Sequence, residues 1–459
     1  MDLLGGNMPS ASELDFVSTR CQQIAELAKQ SPQMGFTSLA HHIDVRWLHE
    51  AYVRTRPDGA PGVDGQTIRD YNERLGENLR SLLERAKSGT YRAPPVRRVY
   101  IPKGTGSETR PIGIPTFEDK ILQRAVVMVL EAVYEQDFKP CSYGFRPGRS
   151  AHQALDALWK RTMATRGGWI VEVDIRKFFD TLDHAHLRTI LRQRIRDGVL
   201  LRLIDKWLNA GVLEDGNLTF PDKGSPQGGV ISPLLANVYL HTVLDVWFES
   251  EVQPRLRGRS FLIRYADDFV IGFTDESDAR RVLEVLPKRF GKYGLTIHPD
   301  KTRLVAFRPL VEESAARDVP VDNSEPETFD LLGFTHYWGR SRAGQWVVKR
   351  RTSKDRLRRA IERTSDWCRH HRHDPINVQH QTLSRKLQGH CAYYGITGNG
   401  EALHNYRDAV IRAWRQWLSR RTRGAAMTWA TFICLLERHP LPAARVVHSV
   451  YRARSEPTP

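Results

Sequence analysis

One stretch restricts the fold more than any other. Phe261-Leu-Ile-Arg-Tyr265 and Phe269-Val-Ile-Gly-Phe273 each alternate in the period-two manner of a strand, and Ala266, Asp267 and Asp268 lie between them. Two such runs joined by so short a segment predict a tight β-hairpin. Two neighbouring carboxylates then sit at its tip. A further strand, Trp169-Ile-Val-Glu-Val-Asp-Ile175, puts Trp169, Val171, Val173 and Ile175 on one face and Ile170, Glu172 and Asp174 on the other. Asp174 therefore ends a strand on its more polar face. Three carboxylates brought to one place repel unless cations neutralise them. Hard oxygen donors select Mg²⁺, and two such ions about 3.5–4 Å apart form the clamp used for in-line phosphoryl transfer. Taken singly, each Asp also has a plainer use, since Asp forms turns and caps helices.

Charge narrows the partners. The chain has 459 residues, of which 40% are hydrophobic and 27% charged, so it has apolar material for a sizeable core and about three domains by length. Its net charge is +16, which points to a polyanion, either nucleic acid or an acidic membrane surface. Residues 340–425 hold 20 Lys and Arg against 6 Asp and Glu, and the 339 residues before them are balanced. The longest nearly apolar run, Ala125 to Leu130, is far too short to span a bilayer. Met1 to Ser10 has neither a basic start nor a long apolar stretch, so no secretory signal is expected. Five scattered cysteines without a Cys-x-x-Cys pair fit a reducing cytoplasm better than a disulfide framework or a zinc module.

Along the chain, Arg56-Pro-Asp-Gly-Ala-Pro-Gly-Val-Asp-Gly65 is a Gly/Pro loop. Asn72 to Ala86 and Asp119 to Tyr134 have helical periodicity. Val96 to Ile101 and Ile112 to Ile114 read as strands around a turn at Lys103-Gly-Thr-Gly106, and Pro309 to Thr328 reads as an exposed loop. The C-terminal third is helical, with candidates Arg356 to His370, Thr382 to Tyr394 and Tyr406 to Arg420.

Seven segments occur in order: Arg110-Pro-Ile-Gly-Ile-Pro115, Ser142-Tyr-Gly-Phe-Arg-Pro-Gly-Arg-Ser150, Val173-Asp-Ile-Arg-Lys-Phe-Phe-Asp180, Gly224-Ser-Pro-Gln-Gly-Gly-Val-Ile-Ser-Pro233, Tyr265-Ala-Asp-Asp268, His298-Pro-Asp-Lys301 and Leu331-Leu-Gly-Phe334. Together they resemble the successive motifs of reverse transcriptases encoded by group II introns. A lone Tyr-x-Asp-Asp is weak, whereas the ordered set is specific. The resemblance implies an α+β right-hand polymerase fold. In it, residues 1–90 form an N-terminal extension and the start of the fingers. Residues 91–340 form fingers and an antiparallel palm sheet, and residues 341–459 a basic α-helical thumb and maturase domain.

The resemblance also implies roles. Asp174, Asp267 and Asp268 match the metal-binding aspartates for two Mg²⁺ ions, the third serving more to orient. Phe179 matches the ring under the sugar of the incoming dNTP, where it would clash with a ribose 2′-OH. Gln227 matches a residue lining the nucleotide pocket. Lys103 and Arg110 match cations that hold the triphosphate. Lys301 falls in a motif behind the palm, and the Leu331–Tyr337 segment resembles the primer grip. Gly389-His-Cys-Ala-Tyr-Tyr-Gly395 and Leu435 to His448 resemble the compact lineage without a nuclease domain, for which the residues after Arg423 leave no room.

The expected function is RNA-directed DNA synthesis together with intron-RNA binding for splicing and retrohoming. The expected partners are RNA template, intron RNA and a DNA primer or target, in a cytoplasmic, bacterial ribonucleoprotein without membrane association. A reverse transcriptase recruited to host defence or repair, and an RNA-binding splicing factor with an idle polymerase site, are the rival readings.

Overall fold

The structure is a computed structural model that describes residues 11–102, 109–214, 216–220, 224, 228–309, 327–421 and 427–449. The chain divides into two compact units, Met1–Ala154 with Val173–Leu304 and Leu155–Glu172 with Val305–Pro459. Among the described residues the strands are β1 (Val96–Pro102), β2 (Thr109–Ile114), β3 (Gly168–Val173), β4 (Val212–Glu214), β5 (Asn217–Thr219) and β6 (Ser260–Tyr265). They continue with β7 (Asp268–Phe273), β8 (Arg303–Phe307), β9 (Phe329–Leu331), β10 (Phe334–Arg340) and β11 (Trp346–Thr352). Helices and largely antiparallel sheets make the fold α+β, as the sequence predicts.

The first unit is organised around the helix Phe117–Asp137. Ile121, Leu122, Ala125, Val126, Val129, Leu130 and Val133 are all fully buried. A helix apolar on nearly every side has to lie inside a core rather than on its surface. Each such side chain contributes roughly 1.5–3 kcal/mol by leaving water. Thr116 caps the helix by accepting from the Asp119 amide, and Trp47 Nε1 donates to the Ala125 carbonyl at 2.9 Å. Beside this helix lies a four-stranded sheet of order β2-β1-β4-β5. β1 and β2 are antiparallel, with Ile101 opposite Arg110, while β1 and β4 run parallel.

β6 and β7 form the expected hairpin, but its turn is tighter than the sequence reading. Tyr265 pairs with Asp268, so only Ala266 and Asp267 lie between the strands. Ala266 has φ +57°, a left-handed conformation that costs an L-residue roughly 1–2 kcal/mol. The surrounding structure enforces it. The Arg264 guanidinium is fully buried and donates to Asp245 through Nε at 2.7 Å and Nη2 at 2.5 Å, to Asn237 Oδ1 at 2.9 Å, and to the Ala266 carbonyl at 3.1 Å. Asn237 in turn donates to the Gly144 carbonyl at 2.7 Å. Gly144 lies so close to the turn that a Cβ there would collide with the Ala266 backbone nitrogen.

Among the described residues the second unit holds the antiparallel sheet β11-β10-β9, most of the helix Ala151–Ala164, and the helices Lys354–His370, Ile376–Tyr394, Gly400–Ser419 and Trp429–Arg438. Leu383, Leu387, Val410, Trp414, Leu418 and Phe432 form its core. Trp414 is fully buried and donates Nε1 to Gln379 at 2.9 Å, so this ring fills the bundle instead of meeting solvent. Lys354, Arg356, Arg358, Arg363 and Arg369 stand exposed on the helix Lys354–His370. No helix among the described residues is long and apolar enough to cross a membrane. The predicted loop Pro309 to Thr328 lies mostly outside the described residues.

Arg264→Met leaves the Asp245 carboxylate buried without its cation, so it should destabilise the first unit by about 3–5 kcal/mol. The double variant Arg264→Met/Asp245→Leu should recover most of that loss in thermal melts. Equal stabilities of the single and double variants would contradict the assignment.

Candidate active site

Asp174 follows β3 directly. Its amide donates to Thr302 Oγ1 at 3.4 Å, and its carbonyl accepts from the His298 amide at 2.8 Å. An antiparallel bridge between Ile175 and Ile297 fixes the next residue. Asp267, the second residue of the hairpin turn, is held by the Arg264 support described above. Its carboxyl is raised above the ordinary carboxylate range. Burial is the main cause and the negative charge of Asp174 adds to it, while its own backbone amide and the cations Arg110 and Arg264 oppose the shift. Asp174, Asp267 and Arg110 thus share one electrostatic neighbourhood although they come from three separate segments of the chain.

Arg110 lies on β2 with an exposed side chain. Lys301, on the one-turn helix Pro299–Lys301, places Nζ 3.3 Å from Asp174 Oδ2. These side chains are 56% and 38% exposed, so solvent screens the pair and it is worth little. The sequence put Lys301 behind the palm; its contact with Asp174 was missed because the two lie far apart along the chain and nothing in the local pattern links them.

Asp268 opens β7 with its side chain exposed. Among the described residues no group of three His, Cys, Asp or Glu side chains is already gathered around a metal-sized gap. Asp174 and Asp267 still fit a divalent cation. Both offer hard oxygen, and the charge of one raises the proton affinity of the other, a repulsion that a cation would relieve.

Phe178 and Phe179 separate by burial. Phe178 is 2% exposed and packs in the core, whereas Phe179 is only half-buried. Their rings meet edge to face at 5.3 Å. The Phe178–Thr181 turn of helix carries the segment around Gly224: the Gly224 amide donates to the Leu182 carbonyl at 2.9 Å, and His184 Nε2 donates to the Gly224 carbonyl at 2.5 Å. Further on, Gly228 has φ +117° and presses on β2, where a Cβ would collide with the Gly113 carbonyl. Only glycine satisfies both demands. Lys103 and Gln227 lie outside the described residues.

The family described as "Reverse transcriptase (RNA-dependent DNA polymerase)" matches residues 101–336. The protein YkfC of Escherichia coli (strain K12) is 36% identical over 331 residues, covering 63% of this chain and 84% of that protein. The group II intron-encoded protein LtrA of Lactococcus lactis subsp. cremoris is 45% identical over 282 residues, covering 58% of this chain and 46% of that protein. The chain therefore spans less than half of LtrA. Nuclear intron maturase 2, mitochondrial, of Arabidopsis thaliana is 30% identical over 181 residues, 31% of this chain and 24% of that protein.

A raised carboxyl has a definite consequence for stability. Folded Asp267 keeps its proton to higher pH than unfolded Asp267, so its contribution is favourable at low pH and is lost as pH rises through the folded value. Without divalent cations, Asp267→Asn should raise Tm at about pH 8 by about 1–3 °C and change it little near pH 4. A lower Tm at the alkaline end would remove the repulsion argument.

Proposed function

The chain belongs to the group II intron-encoded reverse transcriptases and maturases, RNA-directed DNA polymerases, and we propose that it extends a DNA primer on an RNA template at the Asp174–Asp267 pair with Mg²⁺. The observation that carries the reading is the position of Asp267 on a hairpin turn held by buried Arg264, where the charge of Asp174 raises its carboxyl and that of Arg110 lowers it. When bound, a pair of divalent ions supplies activation of the primer 3′-hydroxyl and neutralisation of the phosphates.

The chain's own residues do the rest. Asp174, Asp267 and Asp268 hold the ions, the third serving more to orient than to ligate. Arg110 offers a planar fork of donors to the triphosphate, with Lys103 as its companion cation. The half-buried Phe179 lies under the sugar and excludes a 2′-hydroxyl, while its buried neighbour Phe178 anchors the segment. Gln227, in the turn after Gly224, lines the nucleotide pocket. In this reading, residues 91–340 form fingers and palm after an N-terminal extension of residues 1–90, and residues 341–459 form the thumb and maturase region. The exposed Arg and Lys on Lys354–His370 suit phosphate contacts along template and intron RNA.

The test is primer extension on an RNA template with Mg²⁺. Asp267→Asn should abolish extension and leave RNA affinity within about twofold, since phosphate contacts elsewhere dominate binding. Retained synthesis would take Asp267 out of the catalytic set. Phe179→Ala should raise rNTP incorporation relative to dNTP, read on the same template; unchanged sugar discrimination would assign the gate to another ring.

A further inference from the structure

Along the buried helix Phe117–Asp137 runs a polar chain that the proposed mechanism does not use. Asp119 is 2% exposed and sits in the first turn of the core helix Phe117–Asp137. One of its oxygens, Oδ1, accepts from Tyr91 Oη at 2.6 Å and from Trp207 Nε1 at 2.7 Å. The other, Oδ2, accepts from Gln123 Nε2 at 3.0 Å. Gln123, 3% exposed, uses its remaining atom Oε1 to accept from the Ile231 amide at 3.2 Å. Ile231 immediately precedes the helix Ser232–Leu240 and closes the turn that contains Gly228.

The direction of these bonds is forced. Trp207 Nε1 can only donate, and an ionised carboxylate can only accept. Burial pushes the Asp119 carboxyl up to about 6 while its three donors hold it down, and the Ile231 N–H, too, can only donate. Gln123 must therefore turn its NH₂ to Asp119, which leaves its carbonyl for the Ile231 amide. A cavity of about 10 Å³ adjoins these residues. That is at or below the room one water needs, so solvent cannot replace a lost partner freely. Gly224 and Ile231 are thus tied to different supports: Gly224 to Leu182 and His184, and Ile231 to Gln123.

We propose that Asp119 and Gln123 are positioning residues for nucleotide selection, holding the Gly228–Ile231 end of the turn at the height the incoming dNTP requires. This rests on the reading of that turn as the wall of the nucleotide pocket. A substrate-binding wall held through one amide responds to the polarity of what holds it. Reversing that polarity shifts the wall without touching the carboxylates of the site.

The experiment measures dNTP KM and kcat for primer extension, with Tm for each variant. In Asp119→Asn the side-chain oxygen must stay with Trp207, so the new NH₂ faces the Gln123 NH₂. Gln123 then either confronts a second donor or turns and confronts the Ile231 amide. Asp119→Asn should raise dNTP KM about five- to tenfold with kcat within about twofold, the loss of about one hydrogen bond. Asp119→Asn/Gln123→Glu restores a consistent donor order, because the introduced carboxylate accepts both from the introduced side-chain amide and from the Ile231 N–H. KM should then return to within about twofold of the parent. A folded Asp119→Asn enzyme with parental KM, or a double variant no better than the single, would overturn the proposal. Should Asp119→Asn fail to fold, Tyr91→Phe removes one donor from Asp119 and should raise KM about two- to threefold; parental KM there overturns the proposal equally. A purely structural role lowers Tm and active fraction in all variants and leaves KM unmoved, which also refutes it. If the parent enzyme incorporates no dNTP, the polymerase reading fails first; if the parent extends and the variants match it, only this inference fails.

Discussion

The ion pair between Arg264 and Asp245 is the contact on which the site's geometry depends. Both side chains are wholly buried, and a buried pair of this kind is seldom kept for stability alone, because desolvation offsets much of its attraction. Here it has a geometric consequence. The same guanidinium that satisfies Asp245 reaches the carbonyl of Ala266 and the amide oxygen of Asn237, and Asn237 reaches Gly144. A strained residue and the carboxylate after it are therefore fixed from beneath by a side chain that never meets solvent. Asp245 itself lies where the helix that starts at Ser232 loosens into π winding, a local unwinding often found at functional sites.

The same site sets function against stability. Asp267 is partly withdrawn from water beside another carboxylate, an arrangement that folding alone would not favour. Lys301 relieves Asp174 only weakly from an exposed position, so it yields readily to a stronger counter-charge. The fold around the pair is correspondingly rigid: an apolar helix buried on nearly all sides, a hairpin with a two-residue turn, and a glycine pressed on β2. Catalytic carboxylates need such rigid support to stay close without neutralising each other by proton uptake.

Much of this was legible in the sequence, and the boundary is physical. The hairpin around Asp267 was visible because period-two alternation is a local signal. The strand leading to Asp174 was visible for the same reason, and so were the helices of the basic third. The length of the turn was not legible, since Asp268 reads equally well as loop or as first strand residue. Nor was the Asp119–Gln123 chain, because two polar residues four apart on a helix look like an exposed stripe until the helix proves to be buried all round. The approach of Lys301 to Asp174 and the role of Arg264 depend on tertiary neighbours far away in sequence, about which local pattern is silent.

The discontinuous make-up of the second unit bears on how the protein comes off the ribosome. Trp159 donates Nε1 to the Val348 carbonyl at 3.0 Å, and the Val348 amide meets the Met163 sulfur at 3.4 Å. Trp159 and Met163 therefore meet Val348 only after the whole first unit has been synthesised. Until then these two side chains lack that partner, and the segment is open to mispairing. Translation speed through Val173–Leu304 then sets how long the nascent chain carries this unpaired segment, and separate expression of either unit as a continuous fragment would break the pairing altogether.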